Sequence, residues 1–271
     1  MEPVSNVLGI DKVTLDGKLI VIEERHDSNG NFILNSIILN ALKKNYNVCF
    51  ILFHSTFNHY HNVCMKFGYN LTILREKGKI VVVEPMKTVA YDLERIHKET
   101  QSQEDENLQE LAFNPTCILI QNLHRIIKNE YQKLITADEE AHCIIVVDDL
   151  SHLCNLGLSL NESVYFVRYL RSFVEHNNIS QLCIVMHTYG DDPQSCASDT
   201  LAHSLKCMAH LFIAVDPLET GYSNDASGKL TINWRIDCVR KKYNWPEIGK
   251  YLFKLSDRQV KIYTPGTAIL A

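Results

Sequence analysis

The sequence predicts an α/β fold, in which a mostly parallel β-sheet is flanked by helices and carries antiparallel strands at its C-terminal end. Two observations support the parallel part. Continuous apolar runs such as Asn47–Phe53 are typical of strands that are buried on both faces, and such runs alternate with helical patterns. The third observation is that Gly228–Arg235, Lys250–Leu255 and Gln259–Tyr263 read as strands joined by short turns.

The first part of the chain supplies three strands and two helices. The strand Lys18–Glu24 precedes a helix over Phe32–Lys44. The apolar residues of that helix form one broad face, and its last two lysines complement the negative end of the helix dipole. The strand Asn47–Phe53, a helix over Tyr60–Phe67 and the strand Lys79–Glu84 follow.

An acidic segment then interrupts this alternation. Residues Glu99–Glu110 carry five acidic residues and no basic one, which predicts an exposed loop insertion. Because no break in composition divides the chain, we predict a single domain over residues 1–271. The chain continues with a helix from Pro115, capped by Asn114, to about Ile135, the strand Cys143–Leu150 and a helix over about Glu162–His176. The strand Leu182–His187, a loop over Thr188–Ser198, a helix over Thr200–Met208 and the strand Leu211–Val215 follow.

Composition excludes several classes of function. The 271 residues are 46% apolar and 22% charged, as in an ordinary globular protein, and the net charge of −5 gives no global attraction to nucleic acid. No apolar run approaches the length of a membrane span. The nine cysteines include no C-x-x-C pair, which disfavours a disulfide framework or a zinc knuckle. We expect the protein in the cytosol or the nucleus, where thiols stay reduced.

A phosphate-binding loop is degenerate after the first strand. P-loop NTPases carry G-x-x-x-x-G-K-[ST] at this position. Here Arg25 stands in place of the first glycine, Gly30 matches the second, Asn31 replaces the lysine and Phe32 replaces the hydroxyl residue. Asn31 and Phe32 can supply neither the charge that opposes the phosphates nor a ligand for Mg²⁺. We predict that the chain is not an enzyme and binds no cofactor.

Asp148 and Asp149 end a buried strand and allow two interpretations. In P-loop NTPases the aspartate at such a strand end holds Mg²⁺. Aspartates also end strands for a structural reason, because they cap the element that follows or pair with neighbouring groups. The alternative function is therefore a metal-dependent nucleotide-hydrolysing enzyme that uses these two residues. We expect the structural role.

A histidine-rich segment, His54–Cys64, does not predict a metal site. His59 and His61 point to nearly opposite sides of a helix, and only His61 and Cys64 share a face. No second cluster of cysteine or histidine at ligand spacing completes a tetrahedral set. We interpret the segment as a solvated helix start with one packed histidine.

A basic run near the C-terminus combines Arg240, Lys241 and Lys242 with the aromatic residues Tyr243 and Trp245. Most runs of this kind are solvated loops, and we read this one as a hairpin loop. The alternative is a site where the bases contact phosphate and the aromatic rings stack on nucleobases.

At this point an ordered set of segments identifies a resemblance. The chain resembles the family of Elongator complex protein 6, the sixth subunit of the eukaryotic Elongator complex, across nearly its whole length. The segments that carry the resemblance are Phe57–Tyr60, Phe67–Glu84, Val146–Ser151 with Leu156 and Gly157, and Thr220–Tyr222 leading to Gly228–Arg235.

The resemblance implies a RecA-like ATPase fold that has lost its Walker A loop. It implies assembly with Elongator subunits four and five into a hetero-hexameric ring that binds tRNA and supports C5 modification of the wobble uridine U34, with the chemistry in a different subunit. Asp148 matches the Walker B position. The loops Ser151–Asn161 and Thr188–Asp199, which would face the ring channel, contain no Lys or Arg. Arg235 joins the basic run as a candidate contact to tRNA or a partner. A RecA-like scaffold outside Elongator remains the third reading.

Overall fold

The computed structural model describes residues 2–87, 115–137, 140–177, 179–190, 196–219, 221, 223–256 and 259–264. The predicted acidic loop, Glu99–Glu110, lies outside these residues, as does the expected cap Asn114. Within the described part of the chain, no helix combines the length and the apolar character needed to cross a membrane.

The described strands form a single nine-stranded sheet with the order β3-β2-β4-β5-β1-β6-β7-β8-β9. The strands are β1 Leu19–Arg25, β2 Asn47–Leu52, β3 Ile80–Val83, β4 Cys143–Asp148, β5 Ser180–Thr188, β6 Leu211–Asp216, β7 Gly228–Trp234, β8 Ile248–Leu255 and β9 Val260–Tyr263.

The pairing confirms the predicted fold class. Strands β1 to β6 pair only in parallel, and β1 lies between β5 and β6, where Ile20 faces Cys183 on one side and Leu211 on the other. From β6 onward the pairing is antiparallel, beginning with Leu211 opposite Trp234. The six strands β1 to β6 therefore end together at what we call the carboxyl end of the sheet, whereas β7 ends at the opposite, amino end.

Nine helices surround the sheet in the described residues. They are α1 Glu2–Leu8, α2 Asn31–Lys43, α3 Phe57–Met65, α4 Leu71–Glu76, α5 Pro115–Ala137, α6 His152–Asn155, α7 Leu160–His176, α8 Ala197–Met208 and α9 Asp237–Tyr243. The sequence predicted five of these. It missed the short helices α1, α4, α6 and α9.

The core lies in two layers, one on each face of the sheet. Helices α1 to α4 pack on one face, with Leu8, Ile33 and Tyr60 fully buried. Helices α5, α7 and α8 pack on the other face. Because both faces are covered, the central strands β2 and β4 are buried along their whole length and apolar at nearly every position.

Three cysteines lie inside strands of the sheet and pack as small hydrophobic residues. Cys49, Cys143 and Cys183 are each fully buried. Burial raises the pKa of the Cys49 thiol to about 12, so this group stays uncharged within the core.

Candidate functional site

The carboxyl end of the sheet brings together side chains from four strand ends. These are Glu24 near the end of β1, His54 after β2, Asp148 and Asp149 at the end of β4, and His187 in β5. Ligands of open parallel sheets bind at this end, because the strand ends and the loops that follow them form a crevice there. A ligand or metal site is therefore expected at this end of the sheet.

The loop after β1, which corresponds to the degenerate phosphate-binding loop, is held by its own contacts. Arg25 forms an ion pair with Asp216 at the end of β6, with Nε 3.3 Å from Oδ1. The hydroxyl of Ser28 lies 2.5 Å from the carbonyl oxygen of Arg25 and 2.9 Å from that of Val215. The Asn31 N–H donates to Asn29 Oδ1 at 3.1 Å. The loop is thus tied to β6.

Gly30 sits directly before α2 and beside a buried acid. A Cβ atom placed on Gly30 would lie 3.1 Å from Glu24 Oε2, and Glu24 is only 6% exposed. In P-loop proteins the start of this helix binds phosphate, because its free N–H groups and the helix dipole favour an anion. Here a carboxyl group of the protein already occupies the neighbouring space.

The two residues that replace lysine and serine or threonine also have placed side chains. Asn31 is exposed, whereas Phe32 is buried and stacks near Phe253 with ring centroids 4.8 Å apart. Phe32 is thus the first core residue of α2, as its apolar character predicted. Its ring packs α2 against β8 and carries no atom that could bind a metal.

Asp148 supports the chain after β2. Its Oδ2 accepts a hydrogen bond from the Ser55 N–H at 2.8 Å, and its carbonyl oxygen accepts one from the Phe53 N–H at 3.3 Å. The residue is 3% exposed. These contacts agree with the structural role expected for this carboxylate, which remains a prediction until it is tested by mutation.

Asp149 turns away from Asp148 because its backbone is left-handed, with φ of 56°. This turn directs the two carboxylates to different partners. Asp149 Oδ1 accepts from the Ser151 N–H at 3.1 Å, and Oδ2 lies 3.0 Å from His187 Nδ1 and 3.2 Å from His152 Nε2.

His187 bridges two buried acids. Its Nδ1 faces Asp149, and its Nε2 lies 3.3 Å from Glu24 Oε1. Asp149 and then Glu24 raise the pKa of His187 to about 10 against the opposing effect of burial, so the ring is a cation at neutral pH. Burial alone would raise the pKa of Asp149, but the hydrogen bonds and charges of its partners, led by His187, lower it below the usual value.

Ser151 connects this cluster to the backbone of β5. Its Oγ accepts a hydrogen bond from the His187 N–H at 2.8 Å and lies 3.2 Å from the His187 carbonyl oxygen. Strands β4 and β5 are thereby joined beyond the end of their regular ladder. The imidazolium is thereby held between the two acids.

The basic run lies at the amino end of the sheet, far from this cluster along the strands. The prediction of a hairpin loop was wrong, because Asp237–Tyr243 form helix α9, which ends at the left-handed residue Asn244. Arg240 is held by Asp237 and by Glu247, whose Oε2 lies 3.6 Å from Nη1. Lys241 and Lys242 are exposed.

The aromatic residues of this run serve the fold. Trp245 lies against Trp234 at 5.3 Å between ring centroids and stacks on Tyr243 at 4.9 Å. The Tyr243 hydroxyl donates to the Lys12 carbonyl oxygen at 2.9 Å. Arg235, which is exposed, donates to the Cys207 carbonyl oxygen at 3.0 Å. Two lysines remain as the exposed cations that the run offers.

Comparison with known proteins identifies the family of this chain. A family model described as Elongation complex protein 6 matches residues 3–257. The chain belongs to this family. Elongator complex protein 6 of Homo sapiens is 25% identical over 251 residues, which cover 92% of this chain and 91% of the human protein. The proteins named Elongator complex protein 6 of Danio rerio and Drosophila melanogaster are 27% and 23% identical, each covering more than nine tenths of both chains.

A solved structure agrees with the fold. The KaiC-like protein of the archaeon Pyrococcus horikoshii superposes with a TM-score of 0.51 at 14% sequence identity, covering 92% of this chain and 90% of that one. At this identity the likeness concerns the fold alone. This member of the Elongator complex protein 6 family is therefore a RecA-like α/β protein.

Sequence reasoning identified Asp148 and Asp149 but did not connect them with the histidines around them. His54, His152 and His187 lie in three separate segments, so no local spacing relates them. Each follows or ends a predicted strand, and that shared position was the available signal. In the segment that the sequence did examine, His59 is exposed and Cys64 is buried, in agreement with a solvated helix start.

Proposed function

We propose that this protein is a non-catalytic RecA-like subunit of Elongator that assembles with subunits four and five into a hetero-hexameric ring. The ring would bind tRNA and support C5 modification of the wobble uridine, in the cytosol or the nucleus. Family membership over residues 3–257 supports this proposal, because the related proteins are named as components of Elongator. The observation that carries the non-catalytic part is the pairing of Glu24, His187 and Asp149 at the carboxyl end.

This pairing argues against nucleotide binding by the chain itself. A triphosphate would have to approach the start of α2 beside the buried Glu24 carboxyl group, without the lysine that offsets phosphate charge in P-loop proteins. The nearest cationic side chain of the cluster, His187, already faces two acids. Beside Arg25 the described residues enclose a hollow of about 140 Å³, smaller than the roughly 300–1,000 Å³ of ligand pockets.

The alternative, Mg²⁺-dependent nucleotide hydrolysis by Asp148 and Asp149, has less support from the contacts. Asp148 Oδ2 accepts the Ser55 N–H, and both oxygens of Asp149 face nitrogen atoms. Mg²⁺ in nucleotide sites is held by carboxylates and phosphate oxygens that are free to coordinate it. Carboxylates that face nitrogen atoms match a structural role better than a site for Mg²⁺.

An exposed apolar surface supports assembly with partners. Met65, Phe67 and Ile73, on or next to α3 and α4, are 45–47% exposed. Large exposed apolar side chains that lie close together mark interaction sites, because water contact with them is unfavourable. We propose that this surface, which we call the α3–α4 surface, is covered by a neighbouring subunit in the ring.

The test is co-expression with Elongator subunits four and five, followed by light scattering and tRNA binding. We expect a particle with the mass of six chains that retains tRNA, and no ATP-Mg²⁺ binding by the chain alone in equilibrium dialysis at micromolar concentrations. A chain that stays monomeric beside both partners would contradict the ring. Micromolar ATP affinity of the lone chain would favour the enzymatic alternative.

A variant pair locates the interface. Phe67→Asp with Ile73→Asp places two charges on the α3–α4 surface and should prevent co-purification of the partners. Tyr165→Asp changes a residue that is 64% exposed on α7, in the other layer of the protein, and reports what one exposed charge does elsewhere. Normal ring assembly by the double variant would show that the surface lies outside the interface, while leaving the ring itself intact as a proposal.

A further inference from the structure

Three potential metal ligands converge at the carboxyl end of the sheet, beside the ion pairs described above. They come from His54, His152 and Asp149, each of which offers one ligand atom within 4.8 Å of the other two. His54 follows β2, Asp149 follows β4, and His152 begins α6. The group therefore connects two neighbouring strand ends.

The spacing of these atoms matches a metal site. His54 Nδ1 lies 3.2 Å from His152 Nε2, which lies 3.2 Å from Asp149 Oδ2. With metal–ligand distances of about 2.0–2.1 Å, two ligand atoms of a tetrahedral Zn²⁺ site lie about 3.3 Å apart. Two of the three distances between ligand atoms thus match those of such a site.

Hydrogen bonding uses the Nε2 atom of His152 for one neighbour at a time. One N–H on His152 Nε2 can point to His54 or to Asp149, but not well to both. A metal ion would instead bind a lone pair of each of the three groups at once.

The surrounding contacts hold the ligands in position. Asp149 is fixed by the Ser151 N–H on Oδ1 and by His187 on Oδ2. The amide of Asn155 lies 3.4 Å from Nδ1 of His152, and either atom of that amide can face the ring. Partners on the outer nitrogen of a ligating histidine orient the ring and are a regular feature of metal sites.

We propose that His54, His152 and Asp149 form a binding site for one divalent ion of the Zn²⁺ type, held by two imidazole nitrogens and one carboxylate oxygen. A fourth position is left for water or for a group from a partner. Imidazole ligands favour Zn²⁺, Co²⁺ or Ni²⁺, whereas Mg²⁺ and Ca²⁺ prefer oxygen ligands alone. This site is independent of the proposed ring function, and it fastens the chain after β2 to α6.

Cobalt provides the test, since Co²⁺ substitutes for Zn²⁺ and its visible absorption reports coordination. The full chain, purified alone or with its partners, is treated with a chelator and titrated with Co²⁺. We expect one equivalent to bind with the absorption of a four-coordinate ion. His54→Ala and His152→Ala should each weaken binding by more than about 100-fold, because even changes beside ligands cost about 10–100-fold.

A matched control removes a histidine that the site does not use. His59 is exposed on α3, close to His54 in the sequence, and His59→Ala should bind Co²⁺ like the unchanged protein. Because His54 is also exposed, its replacement should not impair folding, which circular dichroism checks. Absence of a saturable one-equivalent site in the unchanged protein, or unaltered affinity in His54→Ala, would overturn the proposal.

Discussion

The two ends of the sheet use charge in opposite ways. At the carboxyl end, ionisable side chains are buried and satisfy one another, with His187 between Asp149 and Glu24. At the amino end, aromatic rings form the contacts, with Trp245 against Trp234 and Tyr243, and lysines remain exposed. The end where a RecA-like fold binds its ligand thus holds its imidazolium between acids, and exposed lysines lie at the other end.

The comparison teaches that a motif's position in the fold does not determine its use. Asp148 and Asp149 stand at the usual ligand-binding end, yet their described contacts are to backbone N–H groups and histidines. The basic run lies at the amino end, where Arg240 forms ion pairs with Asp237 and Glu247 and the two lysines are exposed. Four predictions test how sharp this difference is.

The largest effect is expected at His187. His187→Ala leaves Glu24 and Asp149 buried without their shared cation, and removing one partner of a buried pair costs about 3–5 kcal/mol. The free energy of unfolding from urea titration measures the loss. Adding Glu24→Gln to this variant should recover part of the stability. If His187→Ala unfolds at the same urea concentration as the unchanged protein, the cluster is not an internal ion network.

At the amino end, Gly9→Ala should be the most damaging small change. Gly9 has φ of +71°, and a Cβ there would lie 2.1 Å from Trp245 Cη2. Backbone strain and overpacking together should cost about 2–3 kcal/mol. Gly78→Ala is the matched control, because φ is +73° and the space is open, so it should cost about 1 kcal/mol. Equal losses would mean that Trp245 moves aside and the aromatic contacts are loose.

The pH dependence of stability should distinguish the two ends further. The pKa of His187 is raised to about 10, so its contribution is complete below the unfolded value near 6.5 and is lost as the pH rises toward 10. In a buffer with chelator, unfolding between pH 8 and pH 9.5 should show a loss of roughly 1–2 kcal/mol. His187→Ala should remove this dependence, and an unchanged slope in the variant would assign it to other groups.

The smallest effect on stability is expected for the exposed lysines. Lys241→Glu with Lys242→Glu should change the free energy of unfolding by less than about 0.5 kcal/mol. If the ring contacts tRNA here, tRNA binding weakens and its salt dependence falls by roughly 0.7–0.9 for each lost phosphate contact.

The matched control for the lysines is Arg125→Glu with Lys128→Glu, two exposed basic residues on α5, which makes the same change in net charge. A double variant at Lys241 and Lys242 that binds tRNA no worse than this control would place the tRNA contact elsewhere. Arg240 is less informative, because Asp237 and Glu247 already hold it.

The sequence predicted those parts of the fold that local pattern determines. Buried strands such as Asn47–Leu52 are apolar at nearly every position, and this predicts a covered parallel sheet. Helix α9 was missed because Asp237–Tyr243 is short, has no buried residue and is followed closely by Pro246. Its formation depends on packing of Tyr243 and Trp245 against distant residues, which periodicity does not show.

The candidate site was predictable only in part, for a similar reason. Two adjacent aspartates after an apolar strand are a visible pattern, but the partners of Asp149 come from β5 and α6. The left-handed turn at Asp149, which separates the two carboxylates, is also a property of the folded backbone. Sequence alone therefore identified the carboxylates without their cation or their histidine neighbours.

The strand order has a consequence for how the protein is made. Strand β1 is synthesised early, but both of its neighbours, β5 and β6, come from the last third of the chain. Until β5 and β6 have been synthesised, the apolar residues Leu19–Ile22 have no strand to pair with. An unpaired apolar segment of this kind is prone to aggregation. Completion of the sheet is a late event of biosynthesis, and a chaperone or a partner that shields β1 would raise the yield of folded protein.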